Sequence, residues 1–267
     1  MSEENARVTK VAMDVIDAIK DRLVAHEVTQ QEYRQAWAWL IDLAASGELP
    51  LFLDLHFESA VERASSAGKP GSEGSVLGPF HLEDHVELSP PYRLPMRDGE
   101  AGTPFLFTAR VTDVDGSPIS GARVDVWQSD ADGLYSGFGS PGPAGNLRGV
   151  MATDAAGEAR FASVRPAPYQ VPTAGPTGAF LRMTGRHAWR PAHFHFVLQK
   201  EGYEPLITQI YFAGDEILEG DGDVVDAVKD SLVITVGEGD DAAVADTYGL
   251  STPYSTGEYT FALRPAR

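Results

Sequence analysis

Apolar and polar positions follow two different periods along this chain. From Val8 to Leu23, the apolar residues Val8, Ala12, Ile16, Ile19 and Leu23 recur every three or four positions, with charged residues between them. That spacing predicts an amphipathic helix. A second helix is predicted to begin at Thr29, because Thr29 and Glu32 have the spacing of a capping box. Tyr33, Ala36, Trp37 and Leu40 then form its apolar stripe. Gly47 and Pro50 interrupt the pattern, and a third helix is expected from about Leu51 to Ala64. The stretch AGKPGSEGS at 67–75 has the Gly and Ser content of a loop.

Beyond that loop the period changes. Phe105–Val114, Val124–Gln128, Glu158–Val164, Ala192–Leu198, Leu206–Phe212, Leu232–Val236 and Tyr259–Leu263 are short and rich in β-branched and aromatic residues. Turn sequences separate several of them, such as DVDGSP at 113–118, SDADG at 129–133 and TDAAGE at 153–158. Short strands punctuated this way predict a β-sandwich. The expected architecture is mainly β: an N-terminal α-helical portion at 1–66, a linker at 67–75 and a β-sandwich domain at 76–267.

Composition narrows the chemistry. The 267 residues include no cysteine, which removes disulfides, iron–sulfur clusters, thiolate zinc sites and cysteine nucleophiles. Any metal must be held by histidine, carboxylate or tyrosine. A net charge of −18 opposes binding to nucleic acid, which requires clustered Lys and Arg. The first residues, MSEENARVTK, contain no apolar run of the signal-peptide kind, and no stretch approaches a membrane span, so a cytoplasmic protein is expected.

Candidate chemistry begins with RPAHFHF at 190–196. Side chains alternate faces along a strand, so His193 and His195 project to the same side and could bind a metal together. Taken alone, His-x-His fits two half-exposed strand histidines equally well. The acidic pairs do not complete a site. Asp113 with Asp115 and Asp130 with Asp132 read as turn formers. Asp221 and Asp223 read as a solvated acidic loop, since the later spacing and terminal Glu of an EF-hand are missing. Tyr135, after DADGL, and Tyr169, in the Pro-rich RPAPYQVP, have unusual settings, although each could be a packed ring with its hydroxyl hydrogen-bonded.

Taken together, VDVWQSDADGLYSGF, PAPYQVP, GRHAWRPAHFHF and ITQIYFAGDE resemble the motifs of the intradiol ring-cleaving dioxygenases, in order, from about Val76 to Val236. The resemblance implies one non-haem ferric ion, Fe(3+), held by Tyr135, Tyr169, His193 and His195. It also implies that Tyr169 leaves the iron when a dihydroxybenzene binds. Arg190 matches the family's buried arginine, which stabilises carbanion character as O2 attacks, and Gln209 matches the glutamine that assists it. Tyrosinate ligands favour the ferric state, whereas ferrous oxygenases use two histidines and a carboxylate.

Finer detail resembles the hydroxyquinol 1,2-dioxygenase branch, which cleaves benzene-1,2,4-triol to maleylacetate. PYQVPTAGPTG and DAVKDSLVITV carry that likeness. So does VLGPF, whose Leu77, Gly78, Pro79 and Phe80 match a substrate-pocket turn. Leu51 and Asp54 match residues set over the ring, and Val171 follows as a further pocket residue. Asp54 could accept a hydrogen bond from a third hydroxyl, or could be a polar position on an amphipathic helix. His81 departs from the pattern, standing where the family carries another aromatic. The alternative substrate is catechol or a substituted catechol. An alternative of another class is a non-enzymatic, transthyretin-like binding module, which would have no use for this arrangement of Tyr, His and Arg. The resemblance further implies a homodimer joined through the helical portion, with phospholipid at that interface, although the portion is shorter here than in typical relatives.

Overall fold

The computed structural model describes residues 3–83, 86–140, 142–143 and 145–266. The first two helices are α1 (Glu3–Ala25) and α2 (Gln30–Ala45). The predicted capping box is present: Thr29 Oγ1 accepts the Glu32 N–H at 3.2 Å, and Glu32 Oε2 accepts the Thr29 N–H at 2.8 Å. The apolar stripes these helices present, including Ile16, Ile19, Trp37 and Leu40, are exposed.

The third predicted helix is interrupted. It comprises α3 (Leu49–Leu53), a π-helical turn over Asp54–Glu58, and α4 (Ser59–Ser66). Pro50 sits in the first turn of α3, where its missing N–H leaves no hydrogen bond unmade. The π-turn was not legible in the apolar spacing, because one inserted residue barely disturbs a short amphipathic stripe. Such bulges concentrate at functional sites. Compactness divides the chain after Leu49, so the π-turn and α4 belong to the same unit as the strands. The loop at 67–75 is tied down by backbone bonds from Ser72 to Ala262 and from Ser75 to Ile207.

Among the described residues, two five-stranded sheets make up the sandwich. One has the order β1 (Tyr92–Arg93), β5 (Glu158–Val164), β2 (Pro104–Asp113), β12 (Tyr254–Leu263), β11 (Gly237–Gly239). The other runs β10 (Val233–Ile234), β9 (Leu206–Phe212), β8 (His193–Gln199), β3 (Arg123–Gln128), β4 (Arg148–Ala152). A two-stranded ribbon pairs β6 (Tyr169–Gln170) with β7 (Trp189–Arg190). Helices α5 (Pro176–Met183), α6 (Glu216–Glu219) and α7 (Ala242–Tyr248) lie in the connections. All seven predicted segments contain strand, but Leu232–Val236 shrinks to β10 and Tyr259–Leu263 extends backwards into β12.

Both faces of β8 are buried, but they differ in character. One face sends Phe194, Phe196 and Leu198 between the sheets, where Phe194 packs against Phe105, Phe107 and Phe161 at ring-centroid distances of 5.4–5.7 Å. The opposite face carries His193 and His195, each only 1% exposed. Period-two alternation therefore separates a hydrocarbon core from a polar site across a single strand.

Candidate metal centre and substrate pocket

Strand register assembles the site. His193 lies opposite Tyr211, and His195 lies between Gln209 on β9 and Trp127 on β3. In the ribbon, Tyr169 is paired with Arg190. Tyr135 follows a turn built by Asp130, whose Oδ1 accepts the N–H groups of Asp132 and Leu134 at 3.0 and 2.9 Å. Within that turn Gly133 has φ +78°, and a Cβ there would lie 2.9 Å from the Tyr169 Cβ. A glycine is therefore required for the two tyrosine-bearing segments to meet. The predicted turn role of Asp113 also holds, its Oδ1 accepting the N–H groups of Asp115 and Ser117.

Four rings converge. His193 Nε2 and His195 Nε2 are 3.0 Å apart, and Tyr135 Oη lies 3.4 Å from His193 Nε2. The Tyr135 and Tyr169 rings are 5.3 Å apart, and Tyr169 is 5.7 Å from the His193 ring. His193 Nδ1 donates to the Pro191 carbonyl at 2.7 Å, leaving Nε2 as the unprotonated nitrogen. Trp127 lies flat on His195, with centroids 4.7 Å apart and planes 8° from parallel. Gly78, at φ +71°, lets the pocket turn close on the same imidazole, since a Cβ there would be 3.2 Å from His195 Cε1.

Electrostatics suit a metal. Burial, reinforced by Arg190, pulls the His193 pKa down to about 3. Burial also drives His195 well below the usual histidine value, so both imidazoles are neutral at pH 7, the form that can bind a metal. Burial pushes the Tyr135 phenol well above its ordinary value. A buried phenolate thus needs a compensating cation, and a coordinated metal ion supplies one. Among the described residues, no group of three or more His, Cys, Asp or Glu could hold a metal. The donor set that fits a metal here is two neutral imidazoles and two phenol oxygens, a combination suited to ferric iron.

Arg190 is 2% exposed and fully engaged. Its Nε and Nη2 donate to Asp223 at 3.0 and 3.1 Å, and Nη2 also donates to Gln209 Oε1 at 2.7 Å and Tyr211 Oη at 3.1 Å. Nη1 faces Tyr169 Oη at 3.4 Å and His193 Nε2 at 3.3 Å. Burial opposes the charge on Arg190, but Asp223 and the tyrosine oxygens outweigh it and raise its pKa well above normal. Gln209 is itself fixed, its Nε2 donating to the Val76 carbonyl at 2.6 Å and facing His195 Nδ1 at 3.2 Å.

Asp223 corrects the sequence reading. It is not solvated: its side chain is 1% exposed and forms the counter-ion of Arg190. The residues before it, Gly220, Asp221 and Gly222, read as a turn, and a carboxylate buried from a loop leaves no periodic signal. Tyr211 was also missed, although it shares a strand face with Gln209 two residues earlier and alternation could have found it.

One cavity, with about 350 Å³ of empty space, adjoins these groups. Its walls include Leu51, Asp54, Gly78, Pro79, Phe80, Tyr169, Val171 and Arg190, as expected, together with Leu55, Glu58, Val76, Pro172 and Val225. Leu77 is not on this wall. It lines the neighbouring groove instead, because alternate residues of the extended segment before Pro79 face opposite ways and Val76 and Gly78 take the cavity side. Glu58 also went unrecognised, although its i, i+4 spacing from Asp54 places both carboxylates on one side of a helical turn. Glu58 Oε1 accepts the Leu77 N–H at 3.2 Å, while buried Oε2 has no partner among the described residues. Burial raises the pKa of Asp54. Burial and then the charge of Asp54 raise that of Glu58. His81 packs edge-on against Trp127 at 4.8 Å, outside the cavity wall.

Comparison with known proteins accounts for this arrangement. Residues 76–265 match the family model described as "Dioxygenase", and residues 5–72 match "Catechol dioxygenase N terminus". The chain is 42% identical to a chlorocatechol 1,2-dioxygenase of Rhodococcus opacus over 235 residues, covering 87% of this chain and 91% of that one. It is 34% identical to a hydroxyquinol 1,2-dioxygenase of Rhizobium sp. (strain MTP-10005) over 257 residues, covering 93% and 85%. The crystal structure of 3-chlorocatechol 1,2-dioxygenase from Rhodococcus opacus 1CP superposes with a TM-score of 0.89 at 36% identity, covering 98% of this chain and all of that one. The chain belongs to the intradiol ring-cleaving dioxygenase family.

Proposed function

We propose that this enzyme cleaves the ring of an ortho-dihydroxybenzene between its two hydroxylated carbons with O2, using ferric iron held by Tyr135, Tyr169, His193 and His195. Its preferred substrate is hydroxyquinol, which gives maleylacetate. When bound, the iron supplies Lewis-acid activation of the dihydroxybenzene as its dianion. Of the two protons the substrate would lose, Tyr169 Oη would take up one and solvent the other, and Arg190 Nη1, 3.4 Å from Tyr169 Oη, would orient the resulting phenol. Asp223, Gln209 and Tyr211 keep the Arg190 guanidinium charged and fixed. It is thereby preorganised to stabilise negative charge that develops on the ring during oxygen attack. Phe80, Val171 and Leu51 exclude water from the ring face.

The observation that carries the hydroxyquinol reading is the pair Asp54 and Glu58 on the cavity wall, one of whose oxygens is buried without a partner among the described residues. A third ring hydroxyl could donate into that wall, whereas hydrogen or chlorine could not. A second reading, a chlorocatechol substrate, is favoured by the higher identity to the Rhodococcus relative than to the Rhizobium one. Steady-state oxygen uptake separates them. The proposal expects kcat/KM for hydroxyquinol to exceed that for catechol and for 3- and 4-chlorocatechol, and a higher value for a chlorocatechol establishes the second reading. In Asp54→Ala the preference should shrink by about one to two decades, the loss of a hydrogen bond to a charged group. The exposed apolar stripes of α1 and α2 support a further proposal, that a second copy of the chain and a phospholipid cover them.

A further inference from the structure

A second guanidinium is buried beside the pocket, and the ring-cleavage scheme leaves it without a role. Arg148, the first residue of β4, is 1% exposed. Its Nε donates to Ser136 Oγ and its Nη2 to the Ser136 carbonyl, both at 2.8 Å, and its Nη1 donates to the Phe80 carbonyl at 2.6 Å. All three acceptors are neutral oxygens. Keeping a full charge inside the protein on such terms is costly, so the charge itself calls for an explanation.

The bonded groups supply one. Ser136 directly follows Tyr135, and Phe80 closes the pocket turn. The Phe80 ring lies on the Tyr135 ring with centroids 4.4 Å apart and planes at 18°. The guanidinium carbon is 6.0 Å from the centre of the Tyr135 ring and 5.7 Å from that of Phe138. Burial pulls the Arg148 pKa down to about 10, against the opposing influence of Tyr135 and Asp125, so the group is still charged at neutral pH.

We propose that Arg148 is a positioning residue of the iron centre, tying the Tyr135 segment to the Phe80 turn and placing a fixed positive charge beside the Tyr135 phenolate. The inference rests on Tyr135 being an iron ligand. Its two parts have separable consequences. The charge stabilises the phenolate electrons and sets the energy of the phenolate-to-iron transition. The hydrogen bonds hold Phe80 against the substrate ring and so set binding.

The test compares iron-loaded wild type, Arg148→Lys and Arg148→Met by visible absorption, iron content, circular dichroism and steady-state kinetics with catechol. Arg148→Lys keeps the charge but cannot reproduce the three-way tie. Its band should stay at the wild-type wavelength while KM rises about tenfold or more, the loss of one hydrogen bond from a charged donor. Arg148→Met loses both, and its band should also move to longer wavelength. Folded, iron-loaded Arg148→Met with an unchanged band and an unchanged KM overturns the proposal. So does failure of both variants to fold, which would place Arg148 in the structural core rather than in the site. A wild-type protein without any such band overturns the ligand assignment itself and this proposal with it.

Discussion

Tyr169 and Arg190 are cross-strand partners in a two-stranded ribbon, and the Arg190 Nη1 lies 3.4 Å from the Tyr169 hydroxyl. The ribbon therefore couples the tyrosine that is proposed to leave the metal to the group that receives it. Tyr169→Phe should retain iron, shift the visible band and lower kcat with catechol by about two decades or more, the usual range for removing a positioned proton acceptor. His193→Ala and His195→Ala should instead lose the metal. Metal analysis and kcat at saturating substrate distinguish these outcomes, and unchanged turnover in Tyr169→Phe contradicts its assignment.

The Arg190–Asp223 pair should matter for stability as well. Removing one partner of a buried ion pair leaves the other uncompensated, so Asp223→Asn should lose about 3–5 kcal/mol at neutral pH. Burial raises the Asp223 pKa, but Arg190 and the Val225 N–H outweigh it and hold the carboxyl below the usual value. Stability from such a group is present above the unfolded-state pKa of about 4 and lost as pH falls through the folded value. Urea unfolding of wild type and Asp223→Asn should therefore show a gap that is large at pH 7 and smaller below about pH 4. A gap that widens on acidification contradicts the pairing.

Substrate preference should depend on pH through the cavity carboxylates. Burial raises the Asp54 pKa above 3.8, and the Glu58 pKa is also raised above 4.5. Each accepts a hydrogen bond best as its anion, and each protonates at a higher pH than an exposed carboxyl. The ratio of kcat/KM for hydroxyquinol to that for catechol should therefore fall as pH drops through those raised values. A ratio that is flat with pH, or one that falls equally in Asp54→Ala, places the preference elsewhere on the cavity wall.

The parts of this site that a sequence exposes are those governed by period two. His193 and His195 on one face, with Phe194 and Phe196 on the other, follow from alternation alone. Gln209 acquires its place from register with His195. The tyrosines were legible only through the motifs around them, since neither the turn at Asp130–Gly133 nor the Pro-rich loop has a period. Asp223 and Arg148 were illegible because their roles arise from long-range packing, across 33 residues to Arg190 and 68 residues to Phe80. The π-turn at Asp54–Glu58 lay hidden within an ordinary helical stripe, and Glu58 was overlooked with it. Leu77 lines the neighbouring groove while packing against the same cluster as Leu51 and Phe80, a division that the motif around it did not reveal.

Metal analysis with visible absorption of the purified protein tests the central claim most directly. The account predicts about one iron per chain and a phenolate-to-iron charge-transfer band, which a tyrosine-ligated ferric centre requires. The band should change when catechol is added without oxygen, as the substrate replaces Tyr169. Active protein that contains stoichiometric zinc and no iron, or iron-loaded protein without the band, contradicts it.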